Sequence, residues 1–306
     1  MHGRDLVSVD DFAAAELVEV LDRSANLKRR LRAGEATPLL VGKTLAMIFE
    51  KPSLRTRVTF EVGMRQLGGG AVNLAPADIQ LGTRESVSDV ARNLSRWVDV
   101  IMARTFAHRT VSDLAEAATV PVINGLSDWE HPCQALADLF TIQEHLGRLE
   151  GVRIAWVGDG NNVLHSLLLG AAKLGASVAI ATPPGYAPGA AVVARAREIA
   201  VPSGATLAVG HDPADAVRGS DIVYTDVWVS MGQEAERDQR LRDFAGYQVN
   251  AALLRTAGSA AKVMHCLPAH RGEEITDDVL DGPRSIVLDQ AENRLHAQKG
   301  LLALMV

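Results

Sequence analysis

The sequence predicts an α/β protein with two doubly wound parallel-sheet domains that are joined by two interdomain helices. Short apolar runs, typical of buried parallel strands, alternate along the chain with amphipathic segments that are typical of helices. The alternation occurs in two successive series, separated by a long amphipathic segment over residues 131–149. Because strands that alternate with helices form parallel sheets covered on both faces, each series predicts one domain. The apolar content of 47% is sufficient for two cores of this kind.

The first series follows an opening helix near residues 11–32. Its elements are, in order, the strand 44–49, the helix 53–67, the strand 71–74, the helix 86–97, the strand 98–103, the helix 111–118 and the strand 120–124. The second series consists of the strand 152–157, the helix 162–174, the strand 177–181, the helix 188–200, the strand 206–209, the short helix 213–217 and the strand 221–226. The last part is less regular, with a strand at 262–266, a short turn near 276–280 and a final helix from about residue 290.

The domain boundary is expected just after the long amphipathic segment, near residues 147–151. The first domain then comprises residues 1–147 and the second comprises residues 151–289. The final helix, residues 290–306, ends in an apolar run that needs a partner, and we expect it to pack back on the first domain.

Composition argues against several classes of protein. A net charge of −6 disfavours a nucleic-acid partner. No uncharged apolar run approaches the roughly 18 residues of a membrane span, and the N-terminal residues lack a secretory apolar region. Two cysteines, Cys133 and Cys266, are no disulfide framework in a chain of this length. We therefore expect a cytoplasmic protein without nucleic-acid or membrane partners.

The end of the first strand predicts an anion site. Lys51, Ser53, Arg55, Thr56 and Arg57 gather two hydroxyls and three cations at the start of a helix, where backbone N–H groups are also free. Arginine adds planar recognition of phosphate or carboxylate. A solvated basic turn is the alternative, but cations at this end of a helix oppose its dipole unless an anion is present.

Later strand ends of the first series extend this site. Arg104 follows the strand at 98–103, and His131 and Gln134 follow the strand at 120–124. His131 and Gln134 are three residues apart across a helix start, so both side chains lie on one face. Because ligands bind beyond the carboxyl ends of parallel strands, these side chains are candidates for one site.

The second series offers different chemistry. Residues 158–162 resemble half of a dinucleotide-binding fingerprint, but position 163 is Val, so a tight strand-to-helix turn is favoured. The carboxylate of Asp226 could hold an ammonium group. His265, Cys266 and His270 invite a zinc interpretation, which we reject because adjacent residues rarely ligate one zinc together. Cys266 as a covalent nucleophile stays open.

Four motifs together resemble a known family. Ser53-Leu-Arg-Thr-Arg57, His131-Pro-Cys-Gln134, Asp226-Val-Trp-Val-Ser-Met-Gly232 and His265-Cys-Leu-Pro268 are similar in order and spacing to those of the ornithine carbamoyltransferases, over essentially the full chain. The resemblance implies transfer of the carbamoyl group of carbamoyl phosphate to the δ-amine of L-ornithine, giving L-citrulline and phosphate in arginine biosynthesis. It implies neither a metal nor another cofactor.

The resemblance also implies roles for individual residues. Those implied for carbamoyl phosphate are Ser53, Leu54, Arg55, Thr56, Gln80, Arg104, His131, Gln134 and Arg294. Those implied for ornithine are Asn162, Asp226, Ser230, Met231, Cys266 and Leu267. The catalytic group is expected to be Arg55, Arg104, His131, Asp226 and Cys266.

Two further implications concern Gln80 and Leu54. The loop with Gln80 matches one that the family donates to a neighbouring subunit, which implies a homotrimer or a multiple of trimers. Leu54 departs from the family pattern, which has Thr there, so a hydroxyl is lost while the backbone N–H stays.

Two alternative functions are kept beside this interpretation. One is a carbamoyltransferase for aspartate, putrescine or an acylated ornithine, and the other is a two-lobed protein that binds a small anion.

Overall fold

The computed structural model describes residues 1–230 and 232–306, and this part of the chain divides into two compact units. Unit 1 comprises Met1–Phe140 and Glu292–Val306, and unit 2 comprises Thr141–Ala291. Each unit has its own parallel sheet flanked by helices, which confirms the predicted fold class.

The elements that begin in unit 1 alternate as the sequence predicts. They are α1 (Ala14–Arg32), β1 (Thr44–Phe49), α2 (Leu54–Gln66), β2 (Gly70–Leu74), α3 (Pro76–Ile79), α4 (Val87–Leu94), β3 (Val100–Arg104), α5 (His108–Ala117), β4 (Val122–Leu126) and α6 (Pro132–Leu146). The chain passes into unit 2 within α6 and returns to unit 1 within a final helix, α13 (Val287–Met305). These are the two helices that connect the units along the chain.

Unit 2 holds the remaining elements. They are β5 (Arg153–Val157), α7 (Asn162–Lys173), β6 (Ser177–Ala181), α8 (Ala190–Ser203), β7 (Leu207–Gly210), α9 (Pro213–Val217), β8 (Ile222–Thr225), α10 (Arg237–Asp243), α11 (Ala251–Ala257), β9 (Lys262–His265) and α12 (Asp277–Leu280). Within the two described stretches of the chain, no helix combines the length and the apolar character needed to cross a bilayer.

The sheet of unit 1 reverses its strand order beside β1. Its order is β2-β1-β3-β4, so the chain adds β2 on one side of β1 and β3 on the other. Phe49 of β1 pairs with Arg104 of β3 at the carboxyl ends of the two strands. Ligands of doubly wound folds bind at such a reversal, and it lies where the sequence places the anion site.

The sheet of unit 2 reverses in the same way. Its order is β7-β6-β5-β8-β9, with the reversal between β5 and β8. The paired strands end at Val157 and Thr225. The segments that follow them carry the glycine turn and Asp226, so these two candidate features also lie at the reversal, whereas Cys266 and Leu267 follow β9.

Two strands of unit 1 begin later than predicted, and several helices were not predicted. β3 begins at Val100 instead of residue 98, because the N–H of Val98 still bonds to the carbonyl of Leu94 at the end of the preceding helix. β4 begins after Pro121, which has no N–H for a strand ladder. The short helices α3, α10 and α11 lack a clear amphipathic repeat in the sequence.

Within unit 1, α13 approaches α1 closely at Gly300. A Cβ atom on Gly300 would lie 2.2 Å from Ser24 Oγ and 2.9 Å from the carbonyl oxygen of Val20. Lys28 of α1, only 3% exposed, donates to Asn293 Oδ1 at 2.8 Å and adds a polar contact. The absence of a side chain at residue 300 is therefore a packing requirement.

We expect Gly300→Ala to destabilise the protein by about 1–3 kcal/mol, because backbone atoms of α1 must move to admit the methyl group. Gly246→Ala is the matched control, since its Cβ would have no heavy atom within 4 Å, and it should change stability by less than about 0.5 kcal/mol. Thermal unfolding followed by circular dichroism measures both. Equal melting temperatures for the two variants would contradict the proposed close packing.

Candidate active site

The start of α2 forms the first part of the site. Ser53 is its N-cap, and Ser53 Oγ accepts a hydrogen bond from the N–H of Thr56 at 3.2 Å, as the sequence predicts. Leu54 is the first helical residue, and its side chain is 75% exposed. Arg55 is half-buried and Arg57 is exposed, so the two guanidinium groups of this helix start have different surroundings.

A buried network joins three predicted site residues of unit 1. Arg294 donates from Nη1 to Gln134 Oε1 at 2.6 Å and from Nη2 to Thr56 Oγ1 at 3.0 Å. Gln134 in turn donates from Nε2 to Asp138 Oδ1 at 2.8 Å. Each of these side chains is at most 2% exposed. The acceptor at Asp138, which the sequence argument did not include, therefore fixes the direction of the Gln134 amide.

His131 and Arg104 complete the cationic part of unit 1. His131 is 5% exposed and Arg104, the last residue of β3, is 6% exposed. Burial holds the pKa of His131 well below its ordinary value, and Arg294, Arg104 and Arg55 lower it further through charge repulsion. His131 is therefore a neutral imidazole at pH 7 that can donate one hydrogen bond without adding charge.

Gln80 lies in a different setting from the other predicted residues of unit 1. It is exposed and follows α3 with a φ of 44°, in the left-handed region. With Phe49, Glu50 and Phe106 it lines a small cavity of the same unit. Among the hydrogen bonds of the described residues, none joins Gln80 to the network around Arg294.

Asp226 is the centre of the candidate site in unit 2. It follows β8 directly, is 5% exposed, and accepts from Asn161 Nδ2 at 2.6 Å through Oδ2. Its Oδ1 accepts from Cys266 Sγ at 2.8 Å and from the N–H of Val227 at 2.8 Å. A carboxylate held on both oxygens presents a fixed negative charge for an ammonium group.

The two neighbouring asparagines occupy different positions at the start of α7. Asn161 is the N-cap of α7 and contacts Asp226, whereas the predicted Asn162 is the first residue of the helix.

Ser230, in the loop after β8, donates its N–H to Gln233 Oε1 at 3.1 Å. Met231 lies outside the described residues. The glycine turn of residues 158–160 is structural, since a Cβ on Gly160 would lie 2.3 Å from the backbone nitrogen of Pro188.

A buried ion pair beside this site was missed by sequence reasoning. Arg240 of α10 lies 3.3 Å from Asp159 through Nη1 and Oδ2, and it donates to the carbonyl of Trp228 at 2.9 Å. Burial raises the pKa of Asp159 to about 6, although Arg240 opposes the shift. The pair fixes the chain just before Ser230. Asp159 and Arg240 are 81 positions apart, and Arg240 is in a helix that the sequence did not predict. No local signal therefore identifies the pair.

The last predicted segment is a turn after β9. Cys266 is half-buried, and Leu267 has a φ of 58°. Donor atoms of Asp226, His265 and Cys266 lie within 4.8 Å of one another, a spacing that a metal ion could use. Both ring nitrogens of His265 are, however, already in hydrogen bonds with Leu267 and Glu274. The residues therefore fit a hydrogen-bonded turn better than a metal site.

Burial holds the thiol of Cys133 in its protonated form. Burial raises its pKa to about 12, and Sγ donates to the carbonyl of Asn124 at 3.4 Å. Since the thiolate is the reactive form of cysteine, Cys133 serves in packing.

Two family models match the two halves of the chain. The "Aspartate/ornithine carbamoyltransferase, carbamoyl-P binding domain" matches residues 4–144. The "Aspartate/ornithine carbamoyltransferase, Asp/Orn binding domain" matches residues 150–305. The cationic residues before α6 thus fall in the first match, and Asp226 and Cys266 fall in the second.

Named relatives are similar over the whole chain. An ornithine carbamoyltransferase of Carboxydothermus hydrogenoformans is 55% identical over 305 residues, which are 100% of this chain and 98% of the relative. An anabolic ornithine carbamoyltransferase of Pyrococcus furiosus is also 55% identical, over 100% of this chain and 97% of the relative.

Solved structures of ornithine carbamoyltransferases are also similar to the chain over nearly its whole length. An ornithine carbamoyltransferase from Pyrococcus furiosus superimposes with a TM-score of 0.97 at 55% identity, covering 99% of this chain and 97% of that one. An anabolic ornithine carbamoyltransferase from Campylobacter jejuni gives a TM-score of 0.93 at 37% identity, with 98% of both chains covered. With both domain models matched and near-complete coverage on each side, the chain belongs to the aspartate/ornithine carbamoyltransferase family.

Proposed function

We propose that the protein is an enzyme that transfers the carbamoyl group of carbamoyl phosphate to the δ-amine of L-ornithine, giving L-citrulline and phosphate for arginine biosynthesis. The observation that carries the proposal is that unit 1 contains a buried arginine–amide network and unit 2 contains a carboxylate with hydrogen bonds on both oxygens. Relatives named ornithine carbamoyltransferase, two of them anabolic, support the acceptor and the direction.

Carbamoyl phosphate binds in unit 1 under this proposal. The phosphate lies at the start of α2, where the backbone N–H groups and the helix dipole favour an anion. The residues proposed to hold it are Ser53, Leu54 through its N–H, Arg55, Thr56, Gln134 and Arg294. The Thr56–Arg294 and Arg294–Gln134 hydrogen bonds support this assignment, because they preorganise the donors before the ligand arrives.

The chemical step depends on positioning and on charge stabilisation. The amine adds to the carbonyl carbon, which gives a tetrahedral intermediate with negative charge on oxygen, and this intermediate then expels phosphate. Arg55, Arg104 and neutral His131 stabilise that oxygen. A neutral imidazole donates a hydrogen bond there and leaves the net charge of the phosphate site unchanged.

Ornithine binds in unit 2 under this proposal. Asp226 binds the α-ammonium group, and Cys266 and the Leu267 backbone orient the δ-amine, which must be neutral to attack. Asn162, Ser230 and Met231 complete the proposed set. The hydrogen bond between Cys266 and Asp226 supports a common site, because it fixes the two side chains relative to each other.

The assembly and the compartment are part of the proposal. We propose a homotrimer or a multiple of trimers in which the exposed Gln80 reaches the carbamoyl phosphate site of a neighbouring subunit. The carbamoyl phosphate domain comprises residues 1–147 with 290–306, and the ornithine domain comprises residues 151–289. A cytoplasmic location suits Cys133 and Cys266, which form no disulfide.

A panel of acceptors tests the proposed function. The purified protein is mixed with carbamoyl phosphate and, separately, with L-ornithine, L-aspartate, putrescine or N-acetylornithine, and ureido product and phosphate are measured. We expect citrulline from ornithine and little product from the others. The single amine of aspartate cannot both bind Asp226 and attack, N-acetylornithine has no free α-ammonium group for Asp226, and putrescine lacks the α-carboxylate. Product from another amine alone would show that the protein uses a different acceptor. Binding of carbamoyl phosphate without release of phosphate would indicate an anion-binding protein.

The departure at Leu54 should have little kinetic effect. Its side chain is 75% exposed, and the backbone N–H that we assign to the phosphate does not depend on the side chain. We expect Leu54→Thr to change the KM for carbamoyl phosphate by less than about fivefold, the worth of one ordinary hydrogen bond. Initial rates at saturating ornithine measure this. A larger decrease in KM would show that the family's hydroxyl contributes to binding at this position.

A further inference from the structure

The turn after β9 has an unusual backbone conformation. Leu267 has a φ of 58°, in the left-handed region, where residues other than glycine are disfavoured. A branched side chain keeps this conformation only when its surroundings enforce it. Leu267 and the preceding Cys266 are residues that we assign to the amine substrate, so the conformation of this turn bears on binding.

His265 supplies the enforcing contact. Its Nδ1 accepts a hydrogen bond from the N–H of Leu267 at 2.9 Å, which closes the turn around Cys266. A ring nitrogen that accepts carries no proton, so the proton of the neutral ring lies on Nε2. Nε2 in turn lies 2.9 Å from Glu274 Oε1, to which it donates.

Glu274 is a fixed anchor for the ring. The side chains of His265 and Glu274 are both 0% exposed. Glu274 Oε1 also accepts from the N–H of His270 at 2.6 Å, and the Glu274 carbonyl accepts from the N–H of Val249 at 2.8 Å. The N–H of His265 is itself bound to Gln290 Oε1 at 2.9 Å. The carboxylate therefore selects one tautomer and one orientation of the imidazole.

We propose that His265 is a positioning residue for the amine substrate and that Glu274 is its anchor. The chain of contacts from Glu274 through His265 to Leu267 holds the turn so that Cys266 Sγ meets Asp226 Oδ1, at 2.8 Å. The inference deepens the proposed function and rests on it, because the turn matters only if it receives the amine. His265 itself touches no reacting atom.

Two variants separate the two ring nitrogens. His265→Asn places an amide oxygen near the position of Nδ1, so it keeps the acceptor for Leu267 and removes the donor to Glu274. His265→Gln places an amide nitrogen near the position of Nε2, so it keeps the donor and removes the acceptor. Kinetics with ornithine and melting temperatures are measured for both variants and for the wild type.

We expect kinetics and stability to rank the variants in opposite orders. His265→Asn should keep kcat/KM for ornithine within about fivefold of wild type, whereas His265→Gln should lower it about tenfold or more because the turn shifts. His265→Asn should nevertheless melt at the lower temperature, because it leaves the buried Glu274 with one donor fewer. A purely structural role for His265 would rank activity and stability alike, and that result would overturn the proposal.

A spectrum of the unmodified protein decides the case in which neither variant folds. In the full protein labelled with ¹⁵N-histidine, long-range ¹H–¹⁵N correlation should show His265, one of several buried histidines, with its proton on Nε2 at neutral pH. A proton on Nδ1 would overturn the proposal. If wild type forms no citrulline, the proposed function fails, while the tautomer and the order of melting temperatures still decide how the turn is held.

Discussion

Replacement of Arg55 by alanine should lower kcat about 10²–10³-fold, the usual effect of removing one donor to a developing oxyanion. Arg55 lies in the first turn of α2 and contributes to the positive potential that keeps His131 neutral. Its guanidinium can stabilise the carbonyl oxygen only as negative charge forms there. Steady-state rates at saturating concentrations of both substrates measure the change.

The matched control for this variant is Arg65→Ala. Arg65 is in the last turn of the same helix and is exposed, so its removal changes the net charge equally without approaching the proposed site. We expect wild-type kinetics from this control. An Arg55→Ala enzyme within tenfold of wild type would place Arg55 outside the site.

Asp226→Asn should lower kcat/KM for ornithine about 10²–10³-fold, because loss of one partner from a buried charge pair typically costs 2–5 kcal/mol. The amide is neutral, and it also cannot accept from Asn161 and Cys266 as the carboxylate does. The KM for carbamoyl phosphate should change little, since the residues assigned to that substrate are in unit 1.

Asp215→Asn is the control for Asp226→Asn. The Asp215 side chain is 74% exposed, and it makes a surface ion pair with Arg218 at 3.2 Å. Such pairs contribute little, so the control should keep wild-type kinetics. Equal kcat/KM values for ornithine in the Asp226→Asn variant and this control would show that Asp226 does not bind the ammonium group.

Much of the fold could be predicted because its elements are local and apolar. The run from Thr44 to Phe49 is almost wholly buried, and its bounds as a strand were predicted correctly. Ser53 was identified as an N-cap because Pro and Ser before an apolar repeat are a local helix signal. By contrast α10 is mainly charged, and its one buried residue, Arg240, pairs with Asp159 far away in sequence as well as with Glu236, four residues before it.

The candidate sites could be predicted as sets of residues but not as contacts. The resemblance supplied Gln134, Thr56 and Arg294, yet nothing in the sequence shows that one guanidinium bonds to both of the other side chains. Adjacent identical residues are also ambiguous: the side chain of Asn161, next to the predicted Asn162, donates to Asp226. Such choices depend on where a helix begins, which pattern reasoning leaves uncertain by a few residues.

Transfer of an isotopic label tests the central claim most directly. The wild-type protein is incubated with ¹³C-carbamoyl phosphate and L-ornithine, and the reaction is followed by ¹³C and ³¹P spectra. We expect the label in the ureido carbon of citrulline, with one phosphate released for each citrulline formed. Phosphate released without labelled citrulline, or carbamoyl phosphate bound and left intact, would contradict the assignment of this chain as a carbamoyltransferase for ornithine.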